Sequence, residues 1–156
     1  MKIASLALGL ALALGFLVNA PARAATEPAL MEPVKSVIEN YLTIQTNLAT
    51  DTMKGVSEHA TAISKAVTGD TMKMLSPDVA KQADALAQAK DIKAAREAFK
   101  PLSASLAKYM SDHKAGKGTY HEVYCPMANA NWLQVGKDIK NPYYGKEMLD
   151  CGELKS

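Results

Sequence analysis

The longest apolar stripe in this chain lies within residues 91–114, where apolar residues recur every three or four positions. Its members are Ile92, Ala95, Phe99, Leu102, Leu106 and Met110. Because an α-helix has about 3.6 residues per turn, this spacing places all of them on one helical face. The segment therefore predicts an amphipathic helix, which must bury that face against other elements of the fold.

Three earlier segments show the same periodicity and predict helices over about residues 34–49, 52–68 and 77–89. Thr50 and Asp51 are favourable N-cap residues, so we expect the second helix to begin directly after them. Ser76 and Pro77 form a strong start signal for the third helix. Four amphipathic helices joined by short links predict an all-α protein, a four-helix up-and-down bundle.

The pattern changes after residue 119. In residues 120–125, Tyr120, Glu122 and Tyr124 alternate with His121, Val123 and Cys125, which indicates a short extended segment. Asn141-Pro142 and Gly145 are turn signals. We therefore expect residues 119–156 to form a short irregular flap, rich in cysteine and methionine, on one end of the bundle.

The N-terminal residues have the composition of a secretory signal peptide: Lys2, an apolar run over 3–18, and small residues around Arg23. The run is shorter than the roughly 20 residues that cross a bilayer. We expect cleavage after Ala24, which leaves residues 25–156 as a single helical domain exported to the periplasm.

The net charge of that domain bears on which partners are expected. Without Lys2 and Arg23, the 18 basic residues fall to 16, which equals the number of acidic residues. A net charge of zero gives no reason to expect a nucleic-acid partner, or membrane insertion after cleavage.

Both cysteines lie in the predicted flap, and each has a methionine close by. Cys125 is followed by Met127, and Met148 precedes Cys151 by three positions. Thiolate and thioether are soft ligands that select copper(I) and similar ions. These four residues are therefore the candidate metal ligands, with copper(I) or silver(I) as the ion. Zinc fits less well because methionine is not among its usual ligands.

A disulfide between Cys125 and Cys151 is an equally open interpretation, since paired cysteines are common in exported proteins. In that case the two methionines would pack around the bridge, and Trp132 and the tyrosines of the flap would be exposed anchors for a partner protein. A bridged pair offers no thiolate, so the two interpretations exclude each other at any instant. Two unrelated cysteines are the third alternative.

Sequence motifs for catalysis are lacking. The chain has no CxxC pair, no glycine-rich phosphate loop and no nucleophile motif, and its three histidines (His59, His113 and His121) stand in different contexts. Four residues of extended chain would hold His121 about 13 Å from Cys125, too far to share an ion. We expect a protein that is not an enzyme.

The C-terminal segment also resembles a known family. The residues that carry the resemblance are Tyr124-Cys125-Pro126-Met127-Ala128, Trp132-Leu133-Gln134, Ile139, Asn141-Pro142-Tyr143-Tyr144-Gly145, Met148 and Cys151-Gly152, with Arg96, Phe99, Leu102 and Ser103 in the last helix. They are similar to a bacterial exported-domain family of unknown function, which occurs alone or fused to the periplasmic adaptor subunits of copper and silver efflux pumps.

The resemblance implies a helical bundle with a Cys/Met-rich C-terminal loop that is associated with heavy-metal handling. It assigns the ligand or bridge positions to Cys125, Met127, Met148 and Cys151, and scaffold positions to Trp132, Asn141, Pro142 and Gly145. The expected function is a periplasmic carrier or buffer for a soft metal ion. The alternative is a disulfide-stabilised module that docks on an efflux component.

Overall fold

The computed structural model describes residues 30–155. The predicted signal peptide, residues 1–24, lies outside the described residues. The elements, in chain order, are helices α1 (Val34–Ala49), α2 (Val56–Thr68), α3 (Pro77–Ala87) and α4 (Ile92–Asp112), strands β1 (Tyr120–Cys125) and β2 (Ala130–Val135), a 3₁₀ turn (Gly145–Glu147) and strand β3 (Glu153–Leu154).

The three strands form one antiparallel sheet in the order β2-β1-β3. β1 and β2 make a hairpin in which Tyr120 pairs with Val135 and Cys125 pairs with Ala130. The short β3 pairs with the end of β1 through Val123 and Tyr124. The predicted all-α fold is therefore wrong: the protein is a mixed α/β structure, and most of the predicted flap belongs to a sheet or to the loop that packs on it.

Neither β2 nor β3 is predicted from the sequence, and for β2 its burial explains why. Trp132, Leu133 and Gln134 are consecutive residues and all three are buried, so the strand lacks the alternation that marks a half-exposed strand. β2 packs against both α1 and α4, and the side chains of Tyr41 and Phe99 meet between these two helices. The strand thus takes the place where the fourth side of a helical bundle would close.

Helices α3 and α4 each begin at a capping side chain. Ser76 accepts a hydrogen bond from the backbone N–H of Asp78 (3.3 Å), and Asp91 accepts one from Ala94 (2.8 Å), so both side chains satisfy N–H groups that lack a helical partner. The predicted start of the second helix at residue 52 is wrong. α2 begins at Val56, after Gly55 (φ +74°).

The core is formed by the inner faces of the helices and by the sheet. Its largest fully buried side chains include Trp132, Tyr41 and Phe99. Tyr41 of α1 stacks on Phe99 of α4, with ring centroids 4.9 Å apart. Tyr143 then contacts both Phe99 (6.1 Å) and Trp132 (5.9 Å, edge to face). This row of aromatic rings joins the helices to the C-terminal segment. None of the helices between residues 30 and 155 has the length and apolarity to cross a bilayer.

Candidate functional site

The two thiols lie side by side. Cys125 is the last residue of β1 and is fully buried, and Cys151 is half-buried and lies two residues before the start of β3. Their Sγ atoms are 3.6 Å apart. A disulfide requires a separation of about 2.05 Å, so both residues are free cysteines in this structure. The structure thus brings together two of the four predicted site residues.

The two predicted methionine ligands are more exposed than Cys125. Met127 belongs to the hairpin turn after Cys125, and its side chain is 66% exposed. Its carbonyl accepts a hydrogen bond from the Tyr144 hydroxyl (3.2 Å). Met148 is half-buried, and its carbonyl accepts a hydrogen bond from the backbone N–H of Cys151 (3.2 Å). The backbone of Met148 is therefore tied to Cys151, and the backbone of Met127 is tied to Tyr144.

Hydrogen bonding and burial affect the Cys151 thiol. The backbone N–H of Ala128 donates to Cys125 Sγ (3.4 Å). The pKa of the Cys151 thiol is raised above its ordinary value, first by its hydrogen bond with Cys125, then by burial and by the electrostatic effect of Cys125 and Asp150. Cys151 thus keeps its proton at neutral pH, and any chemistry that needs two thiolates must release it.

The backbone of Cys151 is held by Asn141, which is fully buried. The Asn141 side-chain amide donates to the carbonyl of Cys151 (2.7 Å). Its side-chain oxygen accepts from the backbone N–H groups of Tyr143 (2.8 Å) and Tyr144 (3.3 Å). One side chain thereby fixes a turn and ties it to the second cysteine, a scaffold role of the kind that the resemblance implied.

Close packing fixes the other side of Cys151. A Cβ atom on Gly152 would lie 2.7 Å from the Trp132 ring and 2.8 Å from Val123, so only glycine lets the chain pass this close to β1 and β2. Trp132 is fully buried and its ring nitrogen donates to Gln134 (3.0 Å). The expectation that Trp132 is an exposed anchor is therefore wrong, because the C-terminal segment covers it.

A second set of contacts ties the C-terminal loop to the helices. Arg96 of α4 donates to the carbonyls of Pro142 (2.9 Å) and Leu48 (3.0 Å) and pairs with Asp51 (2.6 Å). The other carboxylate oxygen of Asp51 accepts from the backbone N–H of Lys146 (3.1 Å). These bonds place the turn that leads to Cys151 against the ends of α1 and α4.

Gly145 makes this arrangement possible. It has a φ of +57°, and a Cβ at this position would overlap the Asp51 carboxylate and the Arg96 guanidinium. Sequence reasoning missed the role of Asp51 because it interpreted the residue as a helix N-cap. In the structure Asp51 has a φ of +60°, a conformation that Asp adopts more readily than most residues, and its partner Arg96 is 45 positions away.

Two buried tyrosine hydroxyls form hydrogen bonds with the backbone of β2. Tyr41 accepts a hydrogen bond from the backbone N–H of Leu133 (2.9 Å) and shares a hydrogen bond with Ser103 (2.5 Å). Tyr143 donates to the carbonyl of Asn131. Burial raises the pKa of both tyrosines, so both hydroxyls stay neutral. They satisfy backbone groups on the edge of β2 with which no further strand between residues 30 and 155 pairs.

The predicted site residues differ in how close they lie to one another. Between residues 30 and 155, no cluster of three or more His, Cys, Asp or Glu side chains is arranged to hold a metal. His121 lies on β1 opposite Gln134, away from the Cys125 end of the strand. Of the four predicted ligands, Cys125 and Cys151 are the two whose sulfur atoms the structure brings close together.

Comparison with known proteins identifies a family for the helical part of the chain. Residues 37–118, more than half of the sequence, match the family described as "Protein of unknown function (DUF3347)". The match ends before β1 and carries no information on copper efflux or on the C-terminal signature. No curated protein and no solved structure matches the chain. On the extent of the family match, the chain belongs to the DUF3347 family of proteins of unknown function.

Proposed function

We propose that this protein binds one soft metal ion, copper(I) or silver(I), through Cys125 and Cys151, and acts as a carrier or buffer for it in the periplasm. The observation that carries the proposal is the pair of free thiols with Sγ atoms 3.6 Å apart. Thiolate sulfur selects soft ions over hard ones.

The separation of the sulfur atoms fits two ligands of one ion. With a metal–sulfur bond of about 2.3 Å, as in zinc thiolates, two sulfurs at a tetrahedral angle lie about 3.8 Å apart. The observed 3.6 Å requires little movement to reach that value. Asn141 and Gly152 hold Cys151 against the sheet before any ion is present, so little ordering is needed on binding.

The two methionines are the more exposed members of the proposed ligand set. Cys125 is buried, whereas Met127 is 66% exposed and Met148 is half-buried. Thioethers are neutral ligands that add soft donor atoms without adding charge. We assign Met127 and Met148 the role of weaker ligands at the solvent side, where an ion would enter and leave.

Copper(I) titration of the fully reduced protein, in competition with a chromophoric chelator, tests the proposal. We expect one ion per chain in the wild type and loss of competitive binding in both Cys125→Ser and Cys151→Ser. Met148→Leu is expected to weaken binding, whereas Met72→Leu is the matched control, because Met72 is exposed on the link between α2 and α3. Uptake that persists in Cys125→Ser would overturn the proposal.

The pH dependence of binding offers a separate check. Because the pKa of the Cys151 thiol is raised, binding displaces a proton throughout the neutral range. Apparent affinity should rise with pH, by about tenfold per unit for each proton released. Affinity that does not change between about pH 6 and about pH 8 would contradict ligation by both thiolates.

A disulfide-stabilised interaction module, docking on an efflux component, is the second candidate, and the same thiol pair favours it. Closing the loop between Cys125 and Cys151 would stabilise the fold by about 3.5 kcal/mol through reduced chain entropy. Counting free thiols in protein taken directly from the periplasm separates the two. A bridged pair that binds no copper(I) even after reduction would favour the module.

A further inference from the structure

A cavity of about 380 Å³ lies at the end of the fold away from the thiol pair, between α4, the loop after it, and the start of the sheet. Cavities of about 300–1,000 Å³ are the usual size for small-molecule sites. Its walls include Met110 of α4, Tyr120 and Glu122 of β1, and Leu133 of β2. Since Cys125 is at the opposite end of β1, this cavity is separate from the proposed metal site.

The floor of the cavity is formed by buried apolar side chains. Ala107, Met110 and Leu133 line it and are at most 5% exposed, so they form a floor set by core packing. The wall contributed by Tyr120 is fixed by Gly116, where φ is +60° and a Cβ would overlap the Tyr120 ring. Only glycine permits this contact, so the loop and the ring are positioned together.

The rim of the cavity is positively charged. Lys114, Lys117 and Lys155 line it, with Glu122 as the one acidic residue. Glu122 is already engaged, since its carboxylate pairs with Lys155 (2.8 Å) and accepts from Asn131 (2.5 Å). Neither Lys114 nor Lys117 has an ion-pair partner among residues 30–155. Two ammonium groups therefore stand uncompensated beside an apolar floor.

The end of α4 does not cancel this charge. A helix C-terminus carries partial negative charge on its last carbonyls. Here the carbonyls of Met110 and Ser111 accept hydrogen bonds from Ala115 (2.9 Å) and Lys114 (3.1 Å). Lys114 has a φ of +50°, a position where glycine is usual. A lysine at this position places an ammonium group on the rim despite the strain of its backbone.

We propose that this cavity binds an amphipathic monocarboxylate, a molecule with one carboxylate on a compact apolar body. The apolar part would rest on Met110 and Leu133, and the carboxylate would face Lys114 and Lys117. An acyl chain and an aromatic ring both have this chemistry, and the volume admits either. The proposal does not depend on the metal site.

Titration of the reduced protein with octanoate and with 4-phenylbutyrate, followed by amide chemical shifts, tests the proposal and distinguishes the two sources. Shifts are expected at Met110, Tyr120 and Leu133 and not at Cys125. Octylammonium, which has the same chain and the opposite charge, should not bind. The carboxylate that binds more tightly identifies the apolar body as acyl or aromatic.

Variants on the exposed rim leave the core intact. Lys114→Ala/Lys117→Ala should weaken carboxylate binding about fivefold, a loss that salt should reproduce in the wild type. Ser111→Trp should obstruct the cavity. The matched control is Lys90→Ala/Lys93→Ala, which removes the same charge from exposed positions at the start of α4. Binding of octylammonium equal to that of octanoate, unchanged affinity in the Lys114/Lys117 variant, or no binding of either carboxylate at millimolar concentration would overturn the proposal.

Discussion

Replacing Asn141 with alanine removes three hydrogen bonds from a fully buried position. The bonds to the Cys151 carbonyl (2.7 Å) and from the Tyr143 N–H (2.8 Å) are short, and the bond from the Tyr144 N–H (3.3 Å) is longer. Each buried group left without a partner costs about 1–3 kcal/mol. Water can reach Cys151, which is half-buried, so the lower part of the range applies there. The expected loss in the free energy of unfolding is about 3 kcal/mol.

That loss is large enough to measure. An unfolding entropy of about 2.1 cal/mol/K per residue, applied to the 126 residues from 30 to 155, converts about 3 kcal/mol into a fall in Tm of about 11 °C. Urea unfolding under reducing conditions, followed by the fluorescence of Trp132, measures the free energy directly. Trp132 is the only tryptophan and is fully buried, so its emission reports on the site itself.

Asn47→Ala is the matched control. The Asn47 amide donates one hydrogen bond, to the exposed carbonyl of Lys54 (2.9 Å), so its loss should cost at most about 1 kcal/mol. Asn141→Asp is a finer probe, because a carboxylate can still accept from Tyr143 but cannot donate to Cys151. In both Asn141 variants the Cys151 thiol should alkylate faster than in the wild type. Equal stability of the Asn141→Ala and Asn47→Ala proteins would refute the reasoning.

Three further predictions concern the frame around the site. Gly152→Ala should destabilise the protein by about 1–3 kcal/mol, measured by urea unfolding, because the new Cβ overlaps the buried Trp132 ring; an unchanged urea midpoint would contradict the packing argument. Asp51→Asn should destabilise the protein near neutral pH, and the difference from wild type should vanish in acid. The Arg96 hydrogen bond lowers the pKa of Asp51, so its contribution is present above the unfolded pKa of about 3.9 and is lost as pH falls through the lower folded value. Unfolding curves at about pH 5 and about pH 2 test this, and a difference that persists in acid would count against it. Tyr41→Phe should cost about 1–3 kcal/mol, since it leaves the buried Leu133 N–H without its acceptor, yet should not alter the copper(I) stoichiometry.

The helices could be predicted from sequence because their signals are local. The apolar stripe of α4 and the Ser76-Pro77 start of α3 need only the residues of the helix itself, and the structure has helices over Ile92–Asp112 and Pro77–Ala87. The start of α2 could not be predicted in this way. The carboxylate of Asp51 bonds to Arg96 and to the backbone of Lys146, and these partners are distant in sequence.

The sheet was harder to predict for a related reason. The alternation in residues 120–125 indicated an extended segment, and β1 is found there. Its partner β2 is covered on both faces, so Trp132 and Leu133 are buried together and no alternation remains. That Cys125 and Cys151 lie close together could be anticipated only as a hypothesis. The contacts that bring them together involve Asn141 and Gly152 rather than the cysteines themselves.

The family match covers the helices, yet the helices alone lack part of their core. Phe99 of α4 packs against Tyr143, Arg96 donates to the carbonyl of Pro142, and Tyr41 of α1 bonds to β2. The side chain of each of these residues contacts the C-terminal segment, whether or not it also contacts another helix. Phe99 and Arg96 therefore position the loop that leads to Cys151, and Tyr41 holds β2 beside it. On this basis we expect the helical part to support the thiol pair, so that loss of the Arg96 or Phe99 contact should loosen the loop that carries Cys151.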